Sequence, residues 1–459
     1  MKNNNIVFVL FLILSHTAFA NVTLPNLFSD NMVLQRNTEV IIWGWADPQE
    51  EVVITPSWNH QEYKIKTSNQ AKWEIKIPTP KEGGPYTISI KGYNQIVLKN
   101  ILIGEVWICS GQSNMEMSAN WGIENGEEAV KNAANSNIRF FSIPKLTATA
   151  PQNNVTGSWK ECTPETMKNF SATGYFFAKR LQEELKNVPI GLISSSWGGT
   201  PAEIWTPEEI IQKDAVLLES AKTRKEESYG PNQPGRAFNA MIYPLVGFKM
   251  AGVLWYQGES NVGSPVYDKT FSALITSWRK LWNYEFPFYY VQIAPYQYGE
   301  NHFGGAEIRN AQRKVLQEIP NTGMALTSDI STVDDIHPKD KKSVGVRLAN
   351  LALANTYKTN SDLVNGPLYK DIKIEKNKVT IAFDFAEGLH FKNNNSNQFE
   401  IAGGDNVYYE AVASIKNNVV ILKTKKVPHP VKVRFSWKNT AQSDLFNKAN
   451  LPASSFITE

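Results

Sequence analysis

The sequence lacks a large net charge of either sign. Its 47 Lys and Arg nearly balance its 44 Asp and Glu, so the formal net charge is only +3 over 459 residues. Proteins that bind nucleic acids or membrane surfaces concentrate basic residues on one face or in one segment. Here the basic residues are interspersed with acidic ones. The composition therefore argues against a nucleic-acid or membrane-surface partner.

Cysteine is nearly absent too, since only Cys109 and Cys162 occur. This scarcity excludes a disulfide-rich scaffold and leaves two interpretations open, one disulfide or two separate buried thiols. The paired-Cys and His-Glu-x-x-His spacings of common metal sites are missing, and the 6 histidines are scattered. We therefore expect neither a metal nor another cofactor.

Long apolar runs are missing beyond residue 20, and a membrane-spanning helix, which needs about 20 such residues, is not expected. The N-terminus instead carries Lys2, an apolar run over residues 6–14 and a small-x-small pattern at residues 18–20. These are the features of a cleaved secretory signal. We predict that residues 1–20 are a signal peptide cleaved near Ala20, and that the protein is periplasmic or secreted.

The rest of the chain divides by pattern into three regions. Residues 21–100 and 358–459 contain short segments of partly alternating apolar and polar residues separated by turn residues, which predicts an N-terminal β domain and a C-terminal β region. Residues 101–357 instead alternate apolar strand-like runs with amphipathic helical stretches. That alternation is typical of an α/β fold with a parallel sheet and helices on both faces.

A candidate nucleophile follows the first apolar strand of the central region, within residues 110–115. A serine hydroxyl reacts only when it is exposed at a rigid position beside a base and amide donors. The carboxyl end of a strand in an open α/β sheet is such a position, and Ser113 lies there. The segment departs from the Gly-x-Ser-x-Gly elbow because position 115 is Met, and many such serines are ordinary turn residues.

Two further polar clusters follow later apolar strands. The adjacent Gly198 and Gly199 would let backbone amides approach a ligand closely, as an oxyanion hole requires, although they also suit a flexible loop. Residues 256–261 offer the amide side chains of Gln257 and Asn261 as donors. Ser260 in that segment repeats the surroundings of Ser113 and is the rival nucleophile.

A candidate base lies in the last polar cluster, just before the final helix of the central region. His337 follows Asp334 by three residues, a spacing at which a carboxylate can orient the imidazole and stabilise its protonated form. Asp335 is an alternative acid, and a site without a local acid is another.

The order of these four clusters along the chain resembles the SGNH hydrolase superfamily. The residues within the clusters resemble its sialate O-acetylesterase branch. The matching segments are residues 104–117, 198–207, 255–261 and 335–338, with 27–35 near the mature N-terminus and 451–456 near the end. The resemblance implies an SGNH-type three-layer α/β/α domain over residues 101–357 with flanking all-β regions. It also implies that the protein removes O-acetyl groups from sugars without a metal.

The resemblance assigns roles to particular residues. It implies that Ser113 is the nucleophile and His337 the base, and that the amides of Ser113 and Gly199 hold the oxyanion. The superfamily's third block usually reads Gly-x-Asn-Asp, which this chain lacks. The role of its Asn would then fall to Gln257, slightly favoured, or to Asn261. Superfamily spacing points to Asp334 as the acid, which we take as the prediction, whereas the closer branch points to Asp335.

The substrate expected from the resemblance is an O-acetylated sialic acid. An acetylated xylan is the alternative within hydrolases, and a non-catalytic carbohydrate-binding protein is the alternative from another class. The presence of both Ser113 and His337 argues against the latter. Recognition of sialic acid would need a cation for its carboxylate, and Arg236, Arg309 and Arg347 are candidates, although they also suit ordinary surface positions.

Overall fold

The computed structural model describes residues 21–225, 227–299, 303–360 and 362–459, so the predicted signal peptide lies outside the described residues. None of the helices in these ranges is both long and apolar enough to cross a lipid bilayer. The strands of the N-terminal region are β1 (Val33–Gln35), β2 (Glu39–Trp45), β3 (Glu51–Pro56), β4 (Tyr63–Lys66), β5 (Lys72–Pro78) and β6 (Gly83–Lys91). Along β2, Val40 and Ile42 are buried whereas Ile41 and Trp43 are half-buried, because successive side chains point to opposite faces of the strand.

One long strand joins the N-terminal region to the central one. Strand β7 (Gln95–Gly111) pairs antiparallel with β6 and parallel with β1 over its first part. Its second part lies between the parallel strands β10 (Ile190–Ser196) and β11 (Gly252–Tyr256). The boundary predicted near residue 100 therefore falls inside a single continuous strand.

The central region contains the α/β organisation that the sequence predicts. Its sheet has the order β13-β12-β11-β7-β10-β8-β9, in which only the edge strand β9 is antiparallel. Its remaining strands are β8 (Asn135–Ser142), β9 (Trp159–Cys162), β12 (Phe288–Val291) and β13 (Thr322–Ala325). Its helices are α1 (Ser113–Glu116), α2 (Gly126–Lys131), α3 (Pro164–Lys168), α4 (Ala172–Glu184), α5 (Glu208–Lys213), α6 (Ala215–Lys222), α7 (Tyr267–Trp282), α8 (Gly304–Glu318) and α9 (Lys341–Asn355).

Alternate residues of β7 enter two different hydrophobic cores. Val106 and Ile108 pack in the core that contains α7 and α8, and Trp107 and Cys109 pack in the core that contains α4 and α9. Helices therefore cover both faces of the sheet. This explains why residues 101–109 form a continuous apolar run rather than an alternating one.

The C-terminal region consists of antiparallel strands with a core of their own. The strands are β14 (Leu368–Glu375), β15 (Lys378–Asp384), β16 (His390–Phe391), β17 (Phe399–Ala402), β18 (Tyr408–Glu410), β19 (Val412–Lys416), β20 (Val419–Lys423), β21 (Lys432–Phe435), β22 (Leu445–Phe446) and β23 (Phe456–Ile457). Val379, Phe399 and Phe456 are fully buried within this core. The region contacts the central one through α8, because Arg309 donates to the carbonyl of Lys438 at 2.6 Å.

The two cysteines are separate buried thiols, so the second of the two interpretations is observed. The Cys162 thiol donates to the carbonyl of Ala133 at 3.0 Å, and burial raises its pKa to about 12. Cys109 lies in β7 and faces the core that contains α4. Both side chains act as small apolar core groups.

Candidate active site

The candidate nucleophile sits where β7 ends. Ser113 is the first residue of α1, immediately after Gly111 and Gln112. A Cβ atom at Gly111 would collide with the carbonyl of Tyr256 on β11, and Gly111 has a φ of +130°. Only glycine therefore lets the chain turn this close to the neighbouring strand. The turn leaves the Ser113 hydroxyl half-buried at the carboxyl edge of the sheet.

The structure brings Ser113 and His337 together, as the sequence predicts. His337 Nε2 lies 2.9 Å from Ser113 Oγ, although the two residues are 224 positions apart in the chain. Burial lowers the pKa of His337, as does the positive charge of Lys341, whereas Asp335 partly opposes both effects. The imidazole is therefore held in its neutral form near pH 7, which is the form that can accept a proton from a hydroxyl.

The carboxylate nearest the imidazole is Asp335, and the prediction of Asp334 needs correction. Asp335 Oδ1 lies 3.9 Å from His337 Nδ1 and accepts the backbone N–H of His337 at 2.8 Å. This local turn points the carboxylate of Asp335 towards the ring, whereas Asp334 is exposed. At 3.9 Å the contact is too long for a hydrogen bond, so the Asp335 carboxylate acts on the imidazole electrostatically and forms an ion pair with it only when His337 is protonated.

The glycine loop after β10 lies against the nucleophile. A Cβ atom at Gly198 would stand 3.2 Å from the Cβ of Ser113, and the Gly198 N–H donates to Glu116 Oε2 at 2.7 Å. Gly199 has a φ of +76°, and the ring of Tyr229 packs directly over it. Within the described residues the amides of Ser113 and Gly199 donate no hydrogen bond, so both are available to a ligand.

Gln257 and Asn261 are not available as oxyanion donors, which corrects both alternatives. Each is 0% exposed. Gln257 Nε2 donates to Asn261 Oδ1 at 2.7 Å and to the carbonyl of Thr200 at 3.2 Å. Asn261 Nδ2 donates to Glu203 Oε2 at 2.9 Å, and its Oδ1 accepts the Ala202 N–H at 2.8 Å. Their amides hold the segment that follows Gly199 and do not contact Ser113.

The rival nucleophile, Ser260, has no histidine beside it among the described residues. It lies in the 3₁₀ turn Glu259–Asn261, where its backbone N–H donates to Gln112 Oε1 at 3.2 Å. Its similar surroundings in sequence reflect a similar position after a buried strand. Without a base its hydroxyl stays a weak nucleophile.

Sequence reasoning missed two residues beside the site. The ring of Trp121 meets the His337 ring edge-on, with centroids 6.1 Å apart, and Trp121 is 44% exposed. The Glu116 carboxylate forms an ion pair with Lys145 at 2.7 Å through Oε1 and accepts the Gly198 N–H through Oε2. Both residues lie in helices of only three or four residues, which are too short to show a periodic pattern in the sequence. Their contacts form only in the folded chain.

The three arginines considered for substrate binding are all engaged elsewhere. Arg309 is buried against the C-terminal region, and Arg347 forms a two-bond ion pair with Asp329 at 2.7 and 2.6 Å. Arg236 donates to a glutamine of its own loop at 3.2 Å. A cavity of about 290 Å³ opens instead beside Gly199, and its lining includes Ser260, Arg224, Lys225 and Tyr229.

Comparison with known proteins identifies the family. Residues 103–359 match the family model of the carbohydrate esterases described as sialic acid-specific acetylesterases. The human sialate O-acetylesterase is 29% identical over 82% of this chain and 78% of its own length. The rat sialate O-acetylesterase is 30% identical over 82% of this chain and 81% of its own length.

A solved structure agrees with these relatives. A carbohydrate acetylesterase from Xanthomonas citri superimposes with a TM-score of 0.86 at 32% identity, covering 96% of this chain and 100% of that one. The molecule is thus a carboxylic ester hydrolase, a carbohydrate O-acetylesterase, and the alternative of a non-catalytic binding protein is set aside. The chain belongs to the sialic acid-specific acetylesterase family of carbohydrate esterases.

Proposed function

We propose that this esterase is an SGNH-type serine hydrolase with Ser113 as nucleophile and His337 as base. The observation that carries the proposal is the 2.9 Å contact between Ser113 Oγ and His337 Nε2 at the carboxyl edge of the sheet. The order of the clusters at Ser113, Gly199 and His337 along the chain further supports the SGNH assignment. The oxyanion donor that the superfamily takes from the Asn of its third block has no counterpart in Gln257 or Asn261, because both side-chain amides are used in bonds within the protein.

The proposed reaction has two steps. Ser113 Oγ attacks the acetyl carbonyl while His337 Nε2 takes the hydroxyl proton, and the amides of Ser113 and Gly199 donate to the oxyanion. The imidazolium then gives this proton to the sugar oxygen, which leaves and yields an acetyl-serine. In the second step His337 deprotonates a water that attacks the ester, and acetate leaves as the proton returns to Ser113.

Substitution of the nucleophile tests this proposal. We expect Ser113→Ala to abolish acetate release from nitrophenyl acetate and labelling by a fluorophosphonate, because among the described residues no other serine hydroxyl bonds a histidine ring. Thermal unfolding should change little, since the residue is half-buried and loses one hydroxyl. Ser260→Ala is the matched control and should retain activity. A Ser113→Ala enzyme with near-normal turnover would remove the mechanism.

We propose an O-acetylated sialic acid as the substrate. The names of the human and rat relatives support this choice, as does the cavity beside Gly199, where Arg224 and Lys225 offer positive charge for a sugar carboxylate. Side-by-side turnover of acetylated sialic acid and acetylated xylan tests it. Preference for xylan would overturn this choice of substrate and leave the esterase mechanism intact.

A cationic side chain of the cavity gives a second test of the substrate. Lys225→Ala should raise KM for the acetylated sialic acid, because an interaction with the carboxylate is lost, and should leave turnover of nitrophenyl acetate unchanged. Lys222→Ala is the control, since Lys222 is exposed and paired with Glu219. Equal effects of the two variants on sialic acid would contradict the role of the cavity.

We also propose that the protein is exported and that residues 1–20 are removed. The Lys2 and apolar-run pattern supports this, together with the small residues Ala18 and Ala20. Mass measurement of the protein recovered outside the cytoplasm should place the mature N-terminus at Asn21. An intact Met1 would contradict the proposal.

A further inference from the structure

A buried cluster of polar side chains lies directly behind Ser113, and the proposed mechanism does not use it. It consists of Asn114, Glu259 and Lys341, which are 0%, 7% and 0% exposed. They come from α1, from the 3₁₀ turn after β11 and from the first residue of α9. Burial of a lysine and a glutamate is unfavourable unless each charge is compensated. We call these three residues the Asn114 cluster.

Asn114 is the junction of this cluster. Its Nδ2 donates to Glu259 Oε1 at 2.6 Å, and its Oδ1 accepts from Lys341 Nζ at 2.5 Å. The same Nδ2 donates to the carbonyl of Ile336, the residue before His337, at 3.0 Å. An ammonium can only donate and a carbonyl can only accept, so these partners fix the orientation of the Asn114 amide.

These contacts connect the two halves of the site. Asn114 is next in sequence to Ser113, and Ile336 is next to His337, so one side-chain bond ties together the segments that carry both groups. The contact between Ser113 Oγ and His337 Nε2 joins two half-buried side chains. The bonds of Asn114 to Glu259 and Lys341 are fully buried, where a hydrogen bond is stronger, and they hold the amide that makes the part-buried bond to the Ile336 carbonyl.

We propose that Asn114 is a positioning residue of this esterase, which holds the loop of His337 at bonding distance from Ser113, and that Lys341 and Glu259 keep its amide in the required orientation. This inference rests on the proposed roles of Ser113 and His337. Asn114 itself is 0% exposed and so has no surface with which to contact a substrate.

The cluster also acts on the base electrostatically. The charge of Lys341 lowers the pKa of His337, an effect second to that of burial, while Asp335 from the same loop opposes it. Burial lowers the pKa of Lys341 itself to about 7. The charged groups that raise the pKa of Lys341 are Glu259, Asp335 and Asp340, and the ring of Tyr256 on β11 lies 5.0 Å from its Nζ.

An isosteric substitution tests the positioning role. Asn114→Asp keeps the shape of the side chain but removes both N–H donors, so the Ile336 carbonyl loses its partner. We expect kcat to fall by about 10²-fold, the size of effect that a 1 Å misplacement of reacting groups can have. KM should stay nearly unchanged, because the residue does not contact substrate. Fluorophosphonate labelling of Ser113 should slow in parallel.

Asn447→Asp is the matched control. Asn447 is also 0% exposed, and its Nδ2 donates to the carbonyls of Asn365 and Phe385 at 2.8 and 3.1 Å in the C-terminal region. This variant should lose comparable stability without a change in kcat. A kcat for Asn114→Asp no lower than that for Asn447→Asp would overturn the proposal.

Lys341→Met supplies an independent test, which also serves if Asn114→Asp does not fold. Removal of the positive charge should raise the pKa of His337 and move the acid limb of the kcat/KM profile to higher pH, which a purely structural role would not do. An unmoved limb with unchanged kcat would contradict the proposal. Failure of the underlying mechanism is distinguished by Ser113→Ala, which would then remain active whatever the cluster variants do.

Discussion

At the scale of single residues, the surroundings of His337 determine the pH range of the enzyme. Burial lowers the pKa of the imidazole below its ordinary value of 6.5, and the Lys341 charge lowers it further. A general base acts only in its neutral form. We therefore expect kcat/KM on nitrophenyl acetate to rise with pH as His337 loses its proton, with its half-maximal point below pH 6.5. The measurement is a pH profile corrected for spontaneous hydrolysis.

The rate of fluorophosphonate labelling provides a second readout of the same group. It needs the same base but no sugar, so its pH profile should have the same acid limb. A half-maximal point above pH 6.5 in both profiles would mean that a group other than a buried, Lys341-facing imidazole controls the reaction.

Sequence reasoning located the residues whose position follows from strand ends. Ser113 and Gly199 lie just after buried strands, and the carboxyl ends of parallel strands meet at one edge of a sheet. His337 is indicated by its place before the last helix of the central region, by its spacing from Asp334 and by the resemblance to the SGNH superfamily. The meeting of Ser113 and His337 could thus be predicted without coordinates.

The residues that it misplaced depend on local turns or on partners distant in the chain. The choice between Asp334 and Asp335 is made by a single turn, in which Asp335 bonds the His337 amide. Gln257 has amide donors suited to an oxyanion, but the packing of the segment after Gly199 uses them. A lysine such as Lys341 is normally exposed, and its buried partner Asn114 lies 227 positions away.

At the scale of elements, continuous apolar runs predict strands that are buried on both faces, such as the second part of β7. Strand β8 lacks such a run, because Arg139 lies within it. That arginine is 2% exposed, and its Nε donates to the carbonyl of Ser136 at 2.7 Å. Its other nitrogens contact the side chains of Asn31, Asn100 and Glu161. A pattern of apolar residues cannot anticipate a buried guanidinium with these partners, because they come from distant parts of the chain.

The start of α9 connects helix stability to the site. Asp340 caps this helix by accepting the Ser343 N–H at 2.9 Å, and Lys341 of the Asn114 cluster follows directly. Asp340→Ala should lower the free energy of unfolding by about 1 kcal/mol, the usual effect of losing such a cap. It should also lower kcat, because the first turn of α9 positions Lys341. Urea unfolding and nitrophenyl acetate turnover measure the two effects.

A second capped helix serves as the control that separates the loss of stability from the loss of kcat. Asp214 caps α6 by accepting the N–H groups of Val216 and Leu217 at 2.8 and 3.1 Å, away from His337. Asp214→Ala should lose similar stability and keep its turnover, while Asp340→Asn should preserve the cap and both properties. Equal turnover in Asp340→Ala and Asp214→Ala would refute a link between the α9 cap and the site.

At the scale of the whole molecule, the site lies at the edge of the central sheet, and the two flanking regions are attached to the central region in different ways. Strand β7 runs without interruption from its pairing with β6 in the N-terminal region to its pairing with β10 in the central sheet. The N-terminal region is therefore attached through the backbone hydrogen bonds of a shared strand. The C-terminal region shares no strand with that sheet in the described chain. Side chains of α8 and of the residue after β12 hold it instead, as when Gln292 Nε2 donates to Ser454 Oγ at 2.8 Å.

Arg309 is therefore expected to decide how firmly the C-terminal region is attached. It is 1% exposed and donates to carbonyls of Ser436, Lys438 and Asn439 at 3.4, 2.6 and 3.2 Å. Arg309→Met should lower the free energy of unfolding by about 2–4 kcal/mol, since buried acceptors lose their donors. Limited proteolysis should then release fragments of residues 358–459 before Ser113 loses its fluorophosphonate labelling.

Arg279 provides the comparison that makes this prediction specific to attachment. It is 6% exposed and likewise donates to three carbonyls, those of Phe286, Pro320 and Asn321, but all three belong to the central region. Arg279→Met should lose similar stability while proteolysis and loss of labelling proceed together. If both variants released the C-terminal region first, that region would be weakly held for reasons unrelated to Arg309, because a guanidinium in α7 cannot detach strands that it does not contact.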